Sequence, residues 1–288
     1  MRFSFLAIAS AIAATAVLAA PVQLSKRNVD SEVGLLNVAL TLEHLESTFY
    51  NHGLTKFSKD DFEKAGFNGE IYDNFVHIRE HENAHVDVLT SVIKSLKKTP
   101  VPVCQYNFPL TDIQTFVAVA RALENTGVSA YLGAAAGLNG GILTTAGTIV
   151  TIEARHSSFL NGLFHSEGAP YNFDTPLTPQ EVFTMASSFI TSCPYDVGVV
   201  PYVQLTATLP KSKGKVTTEY KDSQAHKESW CQFLFDNKVV VSPRSECTLP
   251  KEVDGYVYLV IADTKTPITD KDGAHILAGP TLLFQGDH

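Results

Sequence analysis

Between residue 30 and about residue 195 the apolar side chains recur every three or four positions, as on one buried face of a helix. From about residue 198 onward they come instead in short runs rich in Val, Tyr and Phe, separated by turn residues, the pattern of strands. The first predicted helix is "SEVGLLNVALTLEHLESTFYNHG", capped by Ser31. The second covers "NGEIYDNFVHIREHENAHVDVLTSVIKSLKK" and is stopped by Pro100. After a proline-containing crossover, "TPVPVCQYNFPLTD", a third helix runs from near Thr111 to the glycines of "AAAGLNGG", and a fourth covers "ILTTAGTIVTIEARHSSFLNGLF". A fifth, "TPQEVFTMASSFITSC", starts at a Thr-Pro cap.

Two tight helix pairs joined by one long crossover is the connectivity of a ferritin-like bundle. The strand runs "VVPYVQLTATLP", "KVTTEY", "CQFLFDNKVVVSP", "GYVYLVIAD" and "HILAGPTLLF" predict a small antiparallel sandwich, with Asp236-Asn237 as a hairpin turn. The expected fold is therefore α+β and multidomain: a ferritin-like four-helix bundle plus a fifth helix over residues 30–195, followed by a β-sandwich over residues 198–288.

Composition adds the compartment. The opening "MRFSFLAIASAIAATAVLAAP" has a basic start, a short apolar run and small residues at Val17 and Ala19, the form of a secretory signal over residues 1–19. A pro-segment over residues 20–27 ends in the dibasic pair Lys26-Arg27, which places the mature start near Asn28. Removing Arg2, Lys26 and Arg27 from the 22 basic residues leaves 19 against 30 acidic ones, a net charge of −11. Such an acidic surface argues against nucleic acid or an anionic membrane as partner and favours cations. In an oxidising compartment Cys104, Cys193, Cys231 and Cys247 read as two disulfides with three pairings open. Keeping each bridge within one domain selects Cys104 with Cys193 and Cys231 with Cys247.

The chemistry lies in "HENAH", residues 81–85, which spells both the zinc-protease pattern H-E-x-x-H and the E-x-x-H of a two-metal bundle. On a helical wheel of 100° per residue Glu82 sits in the middle of the apolar stripe, with His85 at about 60° and His81 at about 100°, on its border. The fourth helix repeats the arrangement as Glu153-x-x-His156 around a second apolar stripe, but with Ile152 where the leading histidine would stand. A buried carboxylate is costly unless paired or bound to metal, and two copies of the same arrangement favour the two-metal reading. The preceding helices repeat too: "LEHLESTFY" aligns with "LENTGVSAY", matching Glu43 with Glu124 and Tyr50 with Tyr131, whereas Glu46 meets Gly127 and is set aside as a ligand.

The candidate metal ligands are thus Glu43, Glu82, His85, Glu124, Glu153 and His156. Four carboxylates balance two divalent ions, and iron and manganese accept the same donor set. Tyr50 and Tyr131 are candidate catalytic residues beside the metals, with hydrogen bonding to ligand carboxylates as the equal alternative. His77 and His81 read as a solvated pair. Arg121 is expected either to offset surplus carboxylate charge or to reach solvent.

These segments, "LNVALTLEHLESTFY", "HENAHV", "ALENTGVSAYL", "TIEARHSSFL" and "MASSFITSCP", resemble the ferritin-like domain of a family of secreted stress-response proteins that includes plant desiccation-related and fungal late sexual development proteins. The resemblance implies a ferritin-like fold, a fungal origin and expression under stress or in development; it implies no particular reaction. The ligand positions of the wider superfamily fall on the same six residues, while the signal, disulfides and C-terminal domain speak against a closed iron-storage shell. Two functions follow as expectations. One is a secreted metal-dependent oxidase or ferroxidase using O2 or peroxide. The other is a non-enzymatic metal-binding or structural protein whose C-terminal domain contacts cell wall or glycan.

Overall fold

The computed structural model describes residues 31–210, 214–221, 228–268 and 273–285. The expected signal and pro-segment lie outside the described residues. Helix α1 spans Glu32–Lys56, and the Ser31 side chain accepts from the Gly34 amide to satisfy one of its free N-terminal donors. A short α2, Lys59–Lys64, was not foreseen from apolar spacing, although Ser58 and Asp61 form a capping box at its start. Helix α3, Gly69–Ser95, begins at Asn68 and packs along α1. The crossover contributes β1, Gln105–Tyr106, before α4, Ile113–Ala134, and its tight partner α5, Gly140–Leu163.

The fifth long helix is shorter than expected. Helix α6 spans Pro179–Ser187, started by a Thr178/Glu181 capping box with Pro179 in its first turn. The chain then extends into β2, Ile190–Ser192, which pairs antiparallel with β1. The pairing holds β-branched Ile190 and Thr191 in a strand, and the Cys104–Cys193 disulfide closes the end of that ribbon. The bridge ties the crossover to the chain after α6, and its partner bridge joins Cys231 to Cys247.

The C-terminal region consists of antiparallel sheets. Strands β3, Thr206–Thr208, and β4, Thr217–Glu219, form a two-stranded ribbon. Strands β5, Trp230–Phe235, β6, Lys238–Pro243, β7, Tyr256–Ala262, and β8, Ile276–Phe284, form a four-stranded sheet in the order β6-β5-β7-β8. Asp236 and Asn237 turn the β5–β6 hairpin with φ of 48° and 54°, a left-handed conformation that Asp and Asn tolerate better than most residues.

Successive residues of β5 and β7 serve opposite faces. Phe233, Phe235, Val257, Leu259 and Ile261 share a core with Leu205, Val216 and Leu249 on one side. Leu234, Tyr256, Tyr258 and Val260 join the core of the bundle on the other. That double burial is why β7 reads as one unbroken apolar run rather than as an alternation. The second layer against this sheet is therefore the helical bundle on one face and a small ribbon with its loops on the other. The Tyr258 hydroxyl fixes the contact, 3.0 Å from the Asn125 carbonyl oxygen and 2.8 Å from Ser129 Oγ on α4.

Candidate metal centre

Each helix of the two pairs delivers its polar residues to one place inside the bundle. Glu43 comes from α1, Glu82 and His85 from α3, Glu124 from α4, and Glu153 and His156 from α5. All are buried, His85 being the most exposed at 8%. Their donor atoms form two overlapping groups, Glu43, Glu82, His85 and Glu153 in one, and Glu82, Glu124, Glu153 and His156 in the other, with the atoms of each group within 4.8 Å of one another. Glu82 and Glu153, the glutamates of the two E-x-x-H segments, belong to both groups.

The histidines point the same nitrogen inward. His85 Nδ1 lies 3.2 Å from Glu82 Oε2, 3.2 Å from Glu153 Oε1 and 3.3 Å from Glu43 Oε2. His156 Nδ1 lies 2.9 Å from Glu124 Oε2 and 3.2 Å from Glu82 Oε1. An i, i+3 spacing puts each histidine one turn beyond its glutamate on the same face, so one helix can offer both donors to one point. His81 belongs to neither group, which removes the donor a zinc protease would need.

Concentrated charge disturbs every group. Burial raises Glu43 to about 7 against the opposing pull of the His85 imidazole 3.3 Å away. Burial raises Glu153 well above the carboxylate range, with the charges of Glu82 and Glu124 adding to it, and raises Glu124 as well. Burial would raise Glu82 too, but hydrogen bonds from His156 and His85 outweigh it and hold the group at about 2. For His156, burial opposes the charged form, yet Glu124 and Glu82 bring the imidazole up to about 9. His85 is held above its usual range by Glu153, Glu43 and Glu82 despite its burial.

The tyrosines cross over. Tyr50 on α1 donates to Glu124 Oε1 on α4 at 2.5 Å, and Tyr131 on α4 donates to Glu43 on α1. Burial and the adjoining carboxylates raise both phenols well above their ordinary pKa, so both stay protonated and donate.

Three neighbours stand differently from the sequence expectation. Glu46 is 3% exposed and lies among the four carboxylates, although its alignment with glycine had set it aside. A Cβ on Gly127 would stand 2.5 Å from Glu153 Oε2 and 3.2 Å from Glu46 Oε1, so the missing side chain at Gly127 leaves the space that Glu46 uses. That signal was present in the sequence, as a Glu/Gly mismatch within an otherwise matched repeat. His77 is exposed as expected, but exposed His81 bonds through Nδ1 to His156 Nε2 at 3.0 Å with the rings parallel to within 5°. Arg121 neither reaches solvent nor turns to the centre. It is buried between the rings of Phe164 and Phe284, where Asn161 Oδ1 accepts from its Nε at 2.7 Å, because the sheet covers that side of α4.

Residues 31–166 match the ferritin-like domain family, the class that this bundle and its buried carboxylate–histidine groups define. Protein rds1 of Schizosaccharomyces pombe (strain 972) is 27% identical over 173 residues, which cover 57% of this chain and 40% of that protein, so the match spans less than half of the relative's length. The crystal structure of a conserved hypothetical protein, rv2844, from Mycobacterium tuberculosis is 16% identical, with a TM-score of 0.40 over 48% of this chain and 92% of that one.

Proposed function

We propose that this is a secreted protein in which Glu43, Glu82, His85, Glu124, Glu153 and His156 hold two divalent ions, iron or manganese, as the centre of an oxidoreductase. The observation that carries the reading is the state of the buried oxygens. Glu153 Oε2 has no hydrogen-bond partner, and Glu43 Oε2, Glu82 Oε1 and Glu153 Oε1 have only an imidazole nitrogen at 3.2–3.3 Å, out of hydrogen-bond geometry. A carboxylate left so in a core is strongly unfavourable, and a cation is the partner that removes the penalty for all of them together. Carboxylate and imidazole in these numbers suit Fe and Mn and offer none of the thiolates of a structural zinc site.

Bound there, such ions supply one-electron redox chemistry toward O2 or peroxide, with Fe(II) or a small reductant as the electron source. The chain's own residues do the rest. Glu82 and Glu153, which belong to both donor groups, would help to hold both ions, Glu43 and Glu124 would each help to hold one, and each imidazole would offer Nδ1. Tyr50 and Tyr131 orient the end carboxylates by donating to them and lie close enough to exchange a proton or an electron with the centre. Two disulfides and the absence, among the described residues, of any helix long and apolar enough to cross a membrane support an extracellular setting.

A second reading is favoured by the depth of the site: every donor is buried, which suits retention of metal for stability or sequestration as well as turnover. Metal analysis of the purified mature chain, followed by oxygen consumption with added Fe(II), separates the two. Two ions with turnover support the oxidoreductase, two ions without turnover support sequestration, and no metal under any loading condition overturns both.

A further inference from the structure

Bundle and sheet do not close on each other completely. Between α4, α5, the connecting segment 168–174 and β7 lies a cavity of about 140 Å³, with exposed Asn172 and Asp174 on its wall. It takes no part in the metal centre, and the seam between two structural units is a common place for a small-molecule site.

The wall is built in advance. Asp236 Oδ1, in the β5–β6 turn, accepts from the amides of Asn172 and Phe173 at 3.1 and 3.2 Å. The Tyr256 hydroxyl of β7 donates to Asp174 Oδ1 at 3.0 Å, and the Leu177 amide donates to the Ser129 carbonyl of α4 at 3.1 Å. At the other end a Cβ on Gly168 would stand 2.5 Å from Ser158 Oγ, so a glycine there lets the segment lie directly on α5. The segment is therefore fixed to helix, hairpin and sheet at once. A ligand entering beside it has little ordering to impose.

Several polar groups on this wall are unused. The threonines earlier in α5, Thr144, Thr145, Thr148 and Thr151, each return their hydroxyl to a carbonyl of their own helix, as hydroxyls within helices commonly do. Ser157 and Ser158 do not, and neither hydroxyl has a partner among the described residues, although Ser157 is buried. One turn on, Asn161 is 3% exposed and its Oδ1 accepts from Arg121 Nε at 2.7 Å, which leaves Nδ2 as a donor without an acceptor among the described residues. Across the cavity Asp174 keeps Oδ2 free of the bond that Tyr256 makes to Oδ1.

We infer that this cavity binds a small neutral polyhydroxy compound, about the size of one sugar ring. Hydroxyls and an amide that can donate or accept, set opposite one carboxylate oxygen, match a ligand whose own hydroxyls do both, since each displaced water is then replaced bond for bond. Tyr171 and Tyr256, with ring centroids 5.4 Å apart, supply apolar surface for the carbon skeleton. The size follows from the volume, because a cavity of about 150 Å³ admits a six-membered ring. An anion would meet Asp174 while Arg121 is enclosed by Phe164 and Phe284, and a cation would find a single carboxylate already engaged by Tyr256. The inference does not depend on the metal centre.

The test is ligand-observed NMR titration of the full mature chain with glycerol, D-glucose and myo-inositol, with choline and inorganic phosphate as the charged probes. At least one of the two ring compounds should bind more tightly than glycerol, with a dissociation constant on the order of 1 mM, and the charged probes should not compete. Ser157→Ala, Asn172→Ala and Asp174→Asn should each weaken that binding about 3- to 10-fold, the effect of one lost hydrogen bond. Glu167→Ala, exposed and off the wall, should leave it unchanged, with circular dichroism confirming the fold of every variant. No binding of any polyhydroxy probe, tighter binding of choline or phosphate, or binding that the three wall variants leave unaltered overturns the inference.

Discussion

The hydroxyl of Tyr50 on α1 donates to Oε1 of Glu124 on α4, and the bond is returned from α4 to α1 by Tyr131 and Glu43. Each tyrosine follows its own glutamate by seven residues yet serves the glutamate of the opposite helix, which requires α1 and α4 to run antiparallel through the centre. Tyr50→Phe keeps the ring and deletes the donor, leaving a buried carboxylate oxygen without it. The expected loss is about 1–3 kcal/mol of folding stability in urea denaturation, and Tyr131→Phe should behave alike because its partner Glu43 is equally buried. A variant as stable as the wild type would mean that these bonds position the carboxylates at no net gain to the fold.

Glu82 and Glu153 belong to both donor groups, whereas Glu43 and Glu124 each belong to one. Glu82→Ala and Glu153→Ala should therefore each reduce bound metal from two ions per chain toward none, while Glu43→Ala and Glu124→Ala should each retain one. Metal content by mass spectrometry, with circular dichroism as the folding control, reads this directly. Retention of two ions by the Glu153 variant would exclude a part for it in holding both.

Gly127→Ala puts a methyl 2.5 Å from Glu153 Oε2, a contact that must be relieved by moving a ligand. It should lower metal occupancy and destabilise the fold by about 1–3 kcal/mol, the usual range for overpacking a core. Gly147→Ala, on α5 with nothing within 4 Å of the added atom, is the control. It should raise stability by up to about 1 kcal/mol through helix propensity. Thermal denaturation of the pair, with metal content for each, distinguishes crowding at the centre from a general intolerance of alanine.

The two disulfides close loops of different length, with sequence separations of 16 and 89 residues. Replacing Cys231 and Cys247 together by serine should remove about 3 kcal/mol, and replacing Cys104 and Cys193 about 4–5 kcal/mol, if the constraint acts chiefly on the unfolded chain. Calorimetric melting of the two double variants gives the order. The reverse order would show that strain or residual structure in the unfolded chain outweighs loop length.

Metal should stabilise the protein by mass action, since the assembled donor set exists only in the folded chain. At a free metal concentration about 100 times the dissociation constant the gain is about 2.7 kcal/mol per site. Chelation should lower the melting temperature accordingly, and restoring Fe(II) under nitrogen, or Mn(II), should bring it back.

The sequence by itself determined the bundle, its crossover and six of the residues at its centre, because helical side chains repeat with a fixed angle and a glutamate in the middle of an apolar stripe has nowhere to point but inward. The duplicated pattern did what a single E-x-x-H could not, and the strand runs after residue 198 carried their antiparallel character in local residue type. Tertiary structure alone decided what depends on distance between segments remote in the chain. It set which glutamate each tyrosine serves, that Glu46 fills the space left by Gly127, that exposed His81 bonds to His156, and that Arg121 is enclosed by Phe284 of the sheet. It also ended α6 at Ser187, since the pairing of β2 with β1 competes for backbone groups that a longer helix would have used. Periodicity reports which face of an element is buried; what covers that face is fixed only when the elements pack.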